Sequence, residues 1–133
     1  MKNYLTLLCL SSIQDVSTRL HTFVNCLEYG AVSSIPENLS GFNVVSKWTS
    51  SKEGSKISVS VVCHRPDGSE DILGSIEDIQ STKGIITFSI GIQSFEVRNF
   101  GEHNFQIKIQ EEDGDCYFGH NYPIFISKLE EVS

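Results

Sequence analysis

The chain has 133 residues and is poor in proline, with three, and in positive charge, with ten Lys and Arg against seventeen Asp and Glu. Its ten glycines are scattered and no Pro/Gly/Ser-rich linker divides it, so one domain over residues 1–133 is expected. That length is enough to bury most of the apolar surface. The net charge of −7 favours solubility, and there is no Lys/Arg cluster to neutralise a phosphate backbone. Nucleic acid is therefore excluded as the expected partner. No apolar run approaches the roughly 18 residues that span a membrane, so no membrane partner is expected. The run Leu5–Leu10 after Lys2 is shorter than the roughly 7–15-residue apolar core of a secretory signal. No small-residue cleavage site follows it, and Leu8 precedes Cys9 where a lipoprotein signal would carry a small residue. The stretch reads as a first strand of a cytoplasmic protein.

Recognisable chemistry is also lacking. There is no Gly-x-Ser-x-Gly elbow, P-loop or dinucleotide fingerprint, and no internal repeat at solenoid or propeller spacing. Cys9, Cys26, Cys63 and Cys116 form no Cys-x-x-Cys pair, so free thiols in an intracellular chain are expected. Spacing does not assign the two disulfides that four cysteines would allow. Cys63 and His64 are adjacent, point to opposite faces of a strand and cannot serve one site. Cys63 alternates with Ile57, Val59 and Val61, which makes it a structural thiol rather than a nucleophile.

What is present is alternation. Phe105, Ile107 and Ile109 alternate with Asn104, Gln106, Lys108 and Gln110. Period two places the apolar set on one face of a strand. Asp113-Gly114 then turns the chain, which returns to finish on Ile124-Phe125-Ile126. This hairpin over Phe100–Ile126 implies a sheet with one buried face. Tyr4–Leu10 reads as a strand, Ser11–Arg19 as a connection, and Leu20–Tyr29 as a second apolar segment closed by Gly30. Ser33–Asn38 reads as a loop, with a one-turn helix available over Pro36–Leu39. Phe42, Val44 and Trp48 share one strand face and Asn43, Val45 and Lys47 the other. Thr49–Ser55 is turn-like. Ile57–His64 is a strand ended by Pro66-Asp67-Gly68, and Asp71–Ile79 pairs back onto it. Gly84 opens a segment through Ile86, Phe88 and Ile90 toward Phe95 and Val97, with Gly91 read as a bulge or bend. About eight strands without a helical period predict an all-β, antiparallel β-sandwich, with a barrel as the alternative closure.

Gly101-x-His103-x-Phe105-x-Ile107 followed by Asp113-Gly114 resembles the last two strands of immunoglobulin-like and fibronectin-like sandwiches. In those domains a Tyr often stands where His103 does here and bonds back to upstream backbone as a tyrosine corner. An imidazole N–H would donate a similar bond. Nearly the whole chain, through Leu5-Thr6-Leu7, Pro36, Pro66-Asp67-Gly68 and Gly101–Phe105, resembles a bacterial and phage family of small sandwich proteins of unknown function. Ser17-Thr18-Arg19 stands where that family has an Asp-Gly turn. The resemblance implies an immunoglobulin-like cytosolic sandwich and brings no catalytic residue.

Four histidines, His21, His64, His103 and His120, are the natural ligands or acid–base groups. Cys116 and His120, with His103 across the hairpin, would be a zinc set. Asp67, Glu70 and Asp71, or Glu112, Asp113 and Asp115, would gather oxygens for Ca²⁺, although neither matches an EF-hand loop. The bland readings prevail: surface or hydrogen-bonded histidines and a solvated acidic hairpin tip. No cofactor, metal or catalytic residue is assigned. The expected function is non-enzymatic: an accessory or adaptor sandwich that binds another protein, or a second copy of itself, through an edge strand or end loops. The alternative is a ligand-binding sandwich, for example for carbohydrate, with Trp48, Tyr117 and Tyr122 as stacking residues. Trp48 shares its face with Phe42 and Val44, so its burial is expected.

Overall fold

A computed structural model describes residues 1–14, 17, 21–50 and 53–129. The described residues contain no helix and form strands β1 (Lys2–Gln14), β2 (His21–Cys26), β3 (Tyr29–Val32), β4 (Glu37–Ser50) and β5 (Lys56–His64). They continue as β6 (Glu70–Gln80), β7 (Gly84–Val97), β8 (Gly101–Glu111), β9 (Cys116–Phe118) and β10 (Tyr122–Lys128). One sheet has the order β2-β1-β4-β7; the other runs β3-β10-β8-β5-β6, with β9 also on β8. The protein is all-β, and its strands form two sheets rather than one closed barrel.

The two apolar faces meet in one cluster. Leu8, Phe42, Val44, Trp48, Phe88 and Ile90 come from the first sheet, and Val59, Val61, Phe105, Ile107 and Ile109 from the second. The alternation in β5 and β8 therefore points where the period-two pattern requires. Phe105 lies edge-on to Phe42 and Phe95, with centroids 5.8 and 5.5 Å apart. Glu111, Gly114 and Asp115 form the hairpin turn, where Glu111 N donates to Asp115 O at 2.8 Å and Gly114 takes φ 102°. That φ favours glycine, which has no Cβ to clash.

Several expectations need correction. The first and fourth strands are longer than the apolar runs suggested: β1 reaches Gln14, and β4 starts at Glu37 where a helical turn was available. Of the connection Ser11–Arg19, residues 15, 16, 18 and 19 lie outside the described residues, as do Leu20 and residues 51 and 52 of the Thr49–Ser55 turn. The segment Leu20–Tyr29 is not one strand. It breaks at Leu27-Glu28, and Gly30 lies inside β3, which belongs to the other sheet. There β3 pairs parallel with β10, Tyr29 opposite Phe125, so the architecture is not purely antiparallel. The return arm of the terminal hairpin is likewise split into β9 and β10.

Gly91 is not a bulge, since it pairs in register with Asn43. The close approach of the two strands lies instead at Gly41 and Gln93, between the paired rungs Ser40–Ser94 and Phe42–Ile92. Buried residues on β7 run Phe88, Ile90, Ile92 and then Phe95 and Val97, so the inward phase changes at this point. A Cβ on Gly41 would lie 2.7 Å from Ile92 O and 2.9 Å from Gln93 O. Only glycine lets the two backbones approach so closely.

A buried polar network joins β1 to β4. The Trp48 indole is buried, and its Nε1–H donates to Ser46 Oγ at 2.7 Å. Asn3 Nδ2 donates to Ser46 Oγ at 3.1 Å, Leu5 O at 3.0 Å and Lys47 O at 3.0 Å. The register of β1 on β4 shifts between Asn3 and Leu5, and the Asn3 amide reaches carbonyls beside that shift. Asn3 Oδ1 accepts from Thr6 Oγ1 at 3.2 Å and from His120 N at 3.0 Å, which ties in the link between β9 and β10.

Two predictions follow from this packing. Phe105→Ala should cost about 3–5 kcal/mol through lost burial and a cavity. Lys108→Ala, on the outer face beside the exposed Phe118 ring, should cost about 0.5 kcal/mol or less. Urea unfolding of both variants measures the contrast, and equal losses would show that the outer face of β8 is covered. Ser46→Ala strands the indole N–H, at a cost of about 1–3 kcal/mol for a buried unsatisfied donor, while the Asn3 amide keeps Leu5 O and Lys47 O. Its loss in the same assay should exceed that of Thr49→Ala, whose exposed hydroxyl bonds Lys2 O at 3.5 Å.

Candidate functional site

The zinc set does not assemble. His103 is fully buried, whereas Cys116 and His120 are exposed. The side chain of His21 lies outside the described residues. His64 faces Glu70 at 3.5 Å and Gln106 at 3.3 Å. Asp67, Glu70 and Asp71 are engaged separately. Asp67 Oδ1 accepts from Ser69 N at 2.9 Å and Ser69 Oγ at 2.6 Å, bonds that hold its carboxyl below the usual range. Asp71 pairs with Arg65 at 2.9 Å and with Arg98 at 3.6 Å. At the hairpin tip the convergent carboxylates are Glu111, Asp113 and Asp115, with oxygens within 4.8 Å of one another, and Glu112 is not among them.

Cys63 is fully buried, and burial pushes its thiol up to about 12, so it stays protonated and inert at neutral pH. The expected stacking residues do not line up on the surface. Trp48 is buried, and Tyr117 and Tyr122 pack against the core. Tyr122 Oη donates to Leu27 O at 2.6 Å. The exposed aromatic pair is a different one: Tyr29, 74% exposed, and Phe125, with centroids 6.1 Å apart and a 34° tilt. A hollow of about 260 Å³ beside them is lined by Glu28, Tyr29, Tyr122, Pro123 and Phe125. Phe125 was legible as the outward residue between inward Ile124 and Ile126. Tyr29 was hidden at the end of a stretch read as one apolar segment.

His103 is a buried residue of β8. Its Nδ1 donates to Gly101 O at 3.1 Å, the backward bond expected of an imidazole there. The ring lies edge-on to Phe95 at 5.7 Å, and Nε2 has no hydrogen-bond partner among the described residues. Burial pushes the imidazole below its ordinary value of 6.5, against a smaller pull upward from the bond to Gly101. Phe95 also carries the Arg65 guanidinium, 5.0 Å from its centroid. Arg65 Nη1 donates to Glu96 O at 2.7 Å, so its charge is fully engaged in the fold.

The feature that stands open is the edge of β7. This strand pairs with β4 from Gly84 opposite Ser50 to Val97 opposite Glu37, and no described strand pairs with its other side. Folded proteins blunt such edges with charge, proline, bulges or brevity. β6, the edge of the other sheet on the same side, carries Glu70, Asp71, Glu77 and Asp78 and shifts register twice against β5. β3 has only four residues. β7 has fourteen residues, no proline and one charge, Glu96; Gly84 through Phe95 is uncharged. Its outward Ile85, Thr87, Ser89 and Gly91 are exposed. On the face of this sheet a hollow of about 290 Å³ over Gly41 and Gln93 is bordered by Leu10, Asn43 and Gly91.

No protein-family profile matches the chain, and no curated protein matches it. Among solved structures it is similar to a family 123 glycoside hydrolase from Clostridium perfringens, studied for glycolipid glycan hydrolysis, at 13% identity and a TM-score of 0.47. That alignment covers 77% of this chain and 23% of the hydrolase chain. No helix among the described residues is long and apolar enough to cross a membrane.

The buried His103 sets a pH dependence. Its folded pKa is below the unfolded value, so between the two the unfolded chain binds the extra proton. Stability should therefore fall as pH drops through about 6.5 toward the depressed folded value. His103→Phe, which keeps a ring against Phe95, should lose this component. Urea midpoints of both proteins measured from about pH 7 to pH 5 should diverge, with the wild type falling faster. Parallel curves would show that His103 titrates alike in both states.

Proposed function

We propose that this chain is a non-enzymatic interaction module that receives an extended polypeptide segment as an added strand on the free edge of β7. The uncharged, unpaired edge from Gly84 to Phe95 carries the reading. Main-chain hydrogen bonds would supply affinity, and alternate side chains of the guest would supply specificity. The reading takes the two-sheet arrangement as immunoglobulin- or fibronectin-like, of the bacterial or phage type, in an adaptor role. Four free cysteines support a reducing, cytoplasmic setting.

A ligand-binding surface is the second reading, favoured by the exposed Tyr29–Phe125 pair with Glu28 beside it. Aromatic faces next to a carboxylate suit a sugar ring, and Tyr29→Ala should then abolish retention on a glycan array. Unchanged retention, or none by the wild type, would remove this reading.

Strand addition predicts that Thr87→Lys and Ser89→Lys, both at exposed positions, shift unfolding free energy by about 0.5 kcal/mol or less. A protein captured from native lysate by the wild type should be lost with the double variant. Amide exchange within β7 should slow when that protein is bound. A second copy of this chain as the captured protein would satisfy the same test. Equal capture by the variant, or protection elsewhere than β7, would overturn the proposal.

A further inference from the structure

Cys9 on β1 and Cys26 on β2 stand directly opposite each other in the ladder. One rung away, Leu27 N donates to Leu8 O at 2.8 Å. Leu8 and Leu27 are thus the hydrogen-bonded pair, and Cys9 and Cys26 form the next, non-hydrogen-bonded rung. On such rungs the Cα atoms lie about 4.5 Å apart and the side chains share a face. A disulfide accepts Cα separations of about 4.4–6.8 Å, so the backbone already has the spacing. Cys9 is buried and Cys26 exposed. Burial first, and then the neighbouring Cys26, hold the Cys9 thiol above its ordinary value. The remaining thiols have no such partner in register. Cys63 faces Phe105 and Asp71 across its ladders, and Cys116 faces Gln110.

We propose that Cys9 and Cys26 are a reversible oxidation site that closes into a cross-strand disulfide when a small-molecule disulfide of the glutathione class accumulates. The exposed Cys26, as thiolate, attacks the external disulfide, forms a mixed disulfide and releases one small thiol. Cys9 then gives up its proton and attacks the Cys26 sulfur, expelling the second small thiol. One external disulfide is reduced to two thiols, which carry away both protons, and two protein thiols are oxidised to one disulfide. The new bond fastens the edge strand β2 to β1 just before Leu27, where the chain leaves for β3 in the other sheet. Tyr122 already holds the Leu27 carbonyl at that crossing. β2 and β7 are opposite edges of their sheet, so this site stands independently of strand addition at β7.

The experiment uses the folded full chain with Cys116→Ser, which removes the other exposed thiol. After incubation with oxidised glutathione, the protein is alkylated and mapped by mass spectrometry. The expected product is an intramolecular Cys9–Cys26 disulfide, with a raised Tm that a dithiol reductant reverses. With Cys26→Ser neither disulfide nor adduct should form. With Cys9→Ala a glutathione adduct should persist at Cys26. If Cys9→Ala does not fold, the Cys26→Ser comparison and the wild-type map decide. A persistent adduct at Cys26 in the presence of Cys9, a dimer linked through Cys26, or unreacted thiols would each overturn the proposal.

Discussion

The buried indole of Trp48 imposes the constraint on which one end of the structure depends. A ring that size supplies much of the apolar filling between the sheets, but its N–H must find an acceptor in the interior. Ser46, two residues earlier on the same inward face, provides it. Ser46 in turn lies within reach of Thr6 and Asn3, and Asn3 meets carbonyls beside the register shift on β1 and β4. The same amide oxygen receives His120 N from the link between β9 and β10. Gly119 is held there so closely that a Cβ would lie 3.1 Å from the Trp48 ring and 3.0 Å from Asn3 Oδ1. One satisfied polar cluster thus sets the placement of the terminal hairpin against the opposite sheet. Low local dielectric makes it strong when complete and costly when broken.

Faces were more legible in the sequence than lengths or partners. Ile57, Val59, Val61 and Cys63, and Phe105, Ile107 and Ile109, point inward as period two requires, because each strand has one wet and one dry face. Trp48 was recoverable in the same way. Strand ends were not, since the ladder continues through polar residues such as Asn38, which pairs with Glu96. The break at Leu27-Glu28 left no mark, because crossing between sheets needs neither Gly nor Pro. Gly91 was read as a bulge or bend, but it pairs in register, and the close backbone approach is at Gly41. Both are strand glycines, and only the distance to a neighbouring carbonyl tells them apart. Of the candidate site, the edge strand was foreseen as a kind of feature, but which strand stayed open depends on sheet order, which alternation does not encode.

Charge is spent unevenly on the sheet margins. Asp and Glu concentrate on β6, where Asp71 is also drawn into the ion pairs of Arg65 and Arg98. Those pairs keep the Arg65 guanidinium over Phe95 and bonded to Glu96 O, so the acidic margin also closes one end of the core. β7 is left with backbone groups unprotected by charge. A net charge of −7 repels copies of the chain at long range while this one margin remains locally neutral.

The parallel rung between Tyr29 and Phe125 has a temporal meaning. β10 lies between β3 and β8, so the last of the described strands is what joins the early β3 to the rest of its sheet. As the chain emerges from the ribosome, β3 has none of the described strands to pair with until β10 follows, and Gly30 and Val32 lack Ile126 and Lys128 opposite them. The six-stranded sheet is completed only when residues 29–32 meet 125–128, a long-range step whose loop-closure entropy comes due before its contacts form. Until then the growing chain presents open β margins, and crowding by neighbouring nascent chains competes with its own last strand for them.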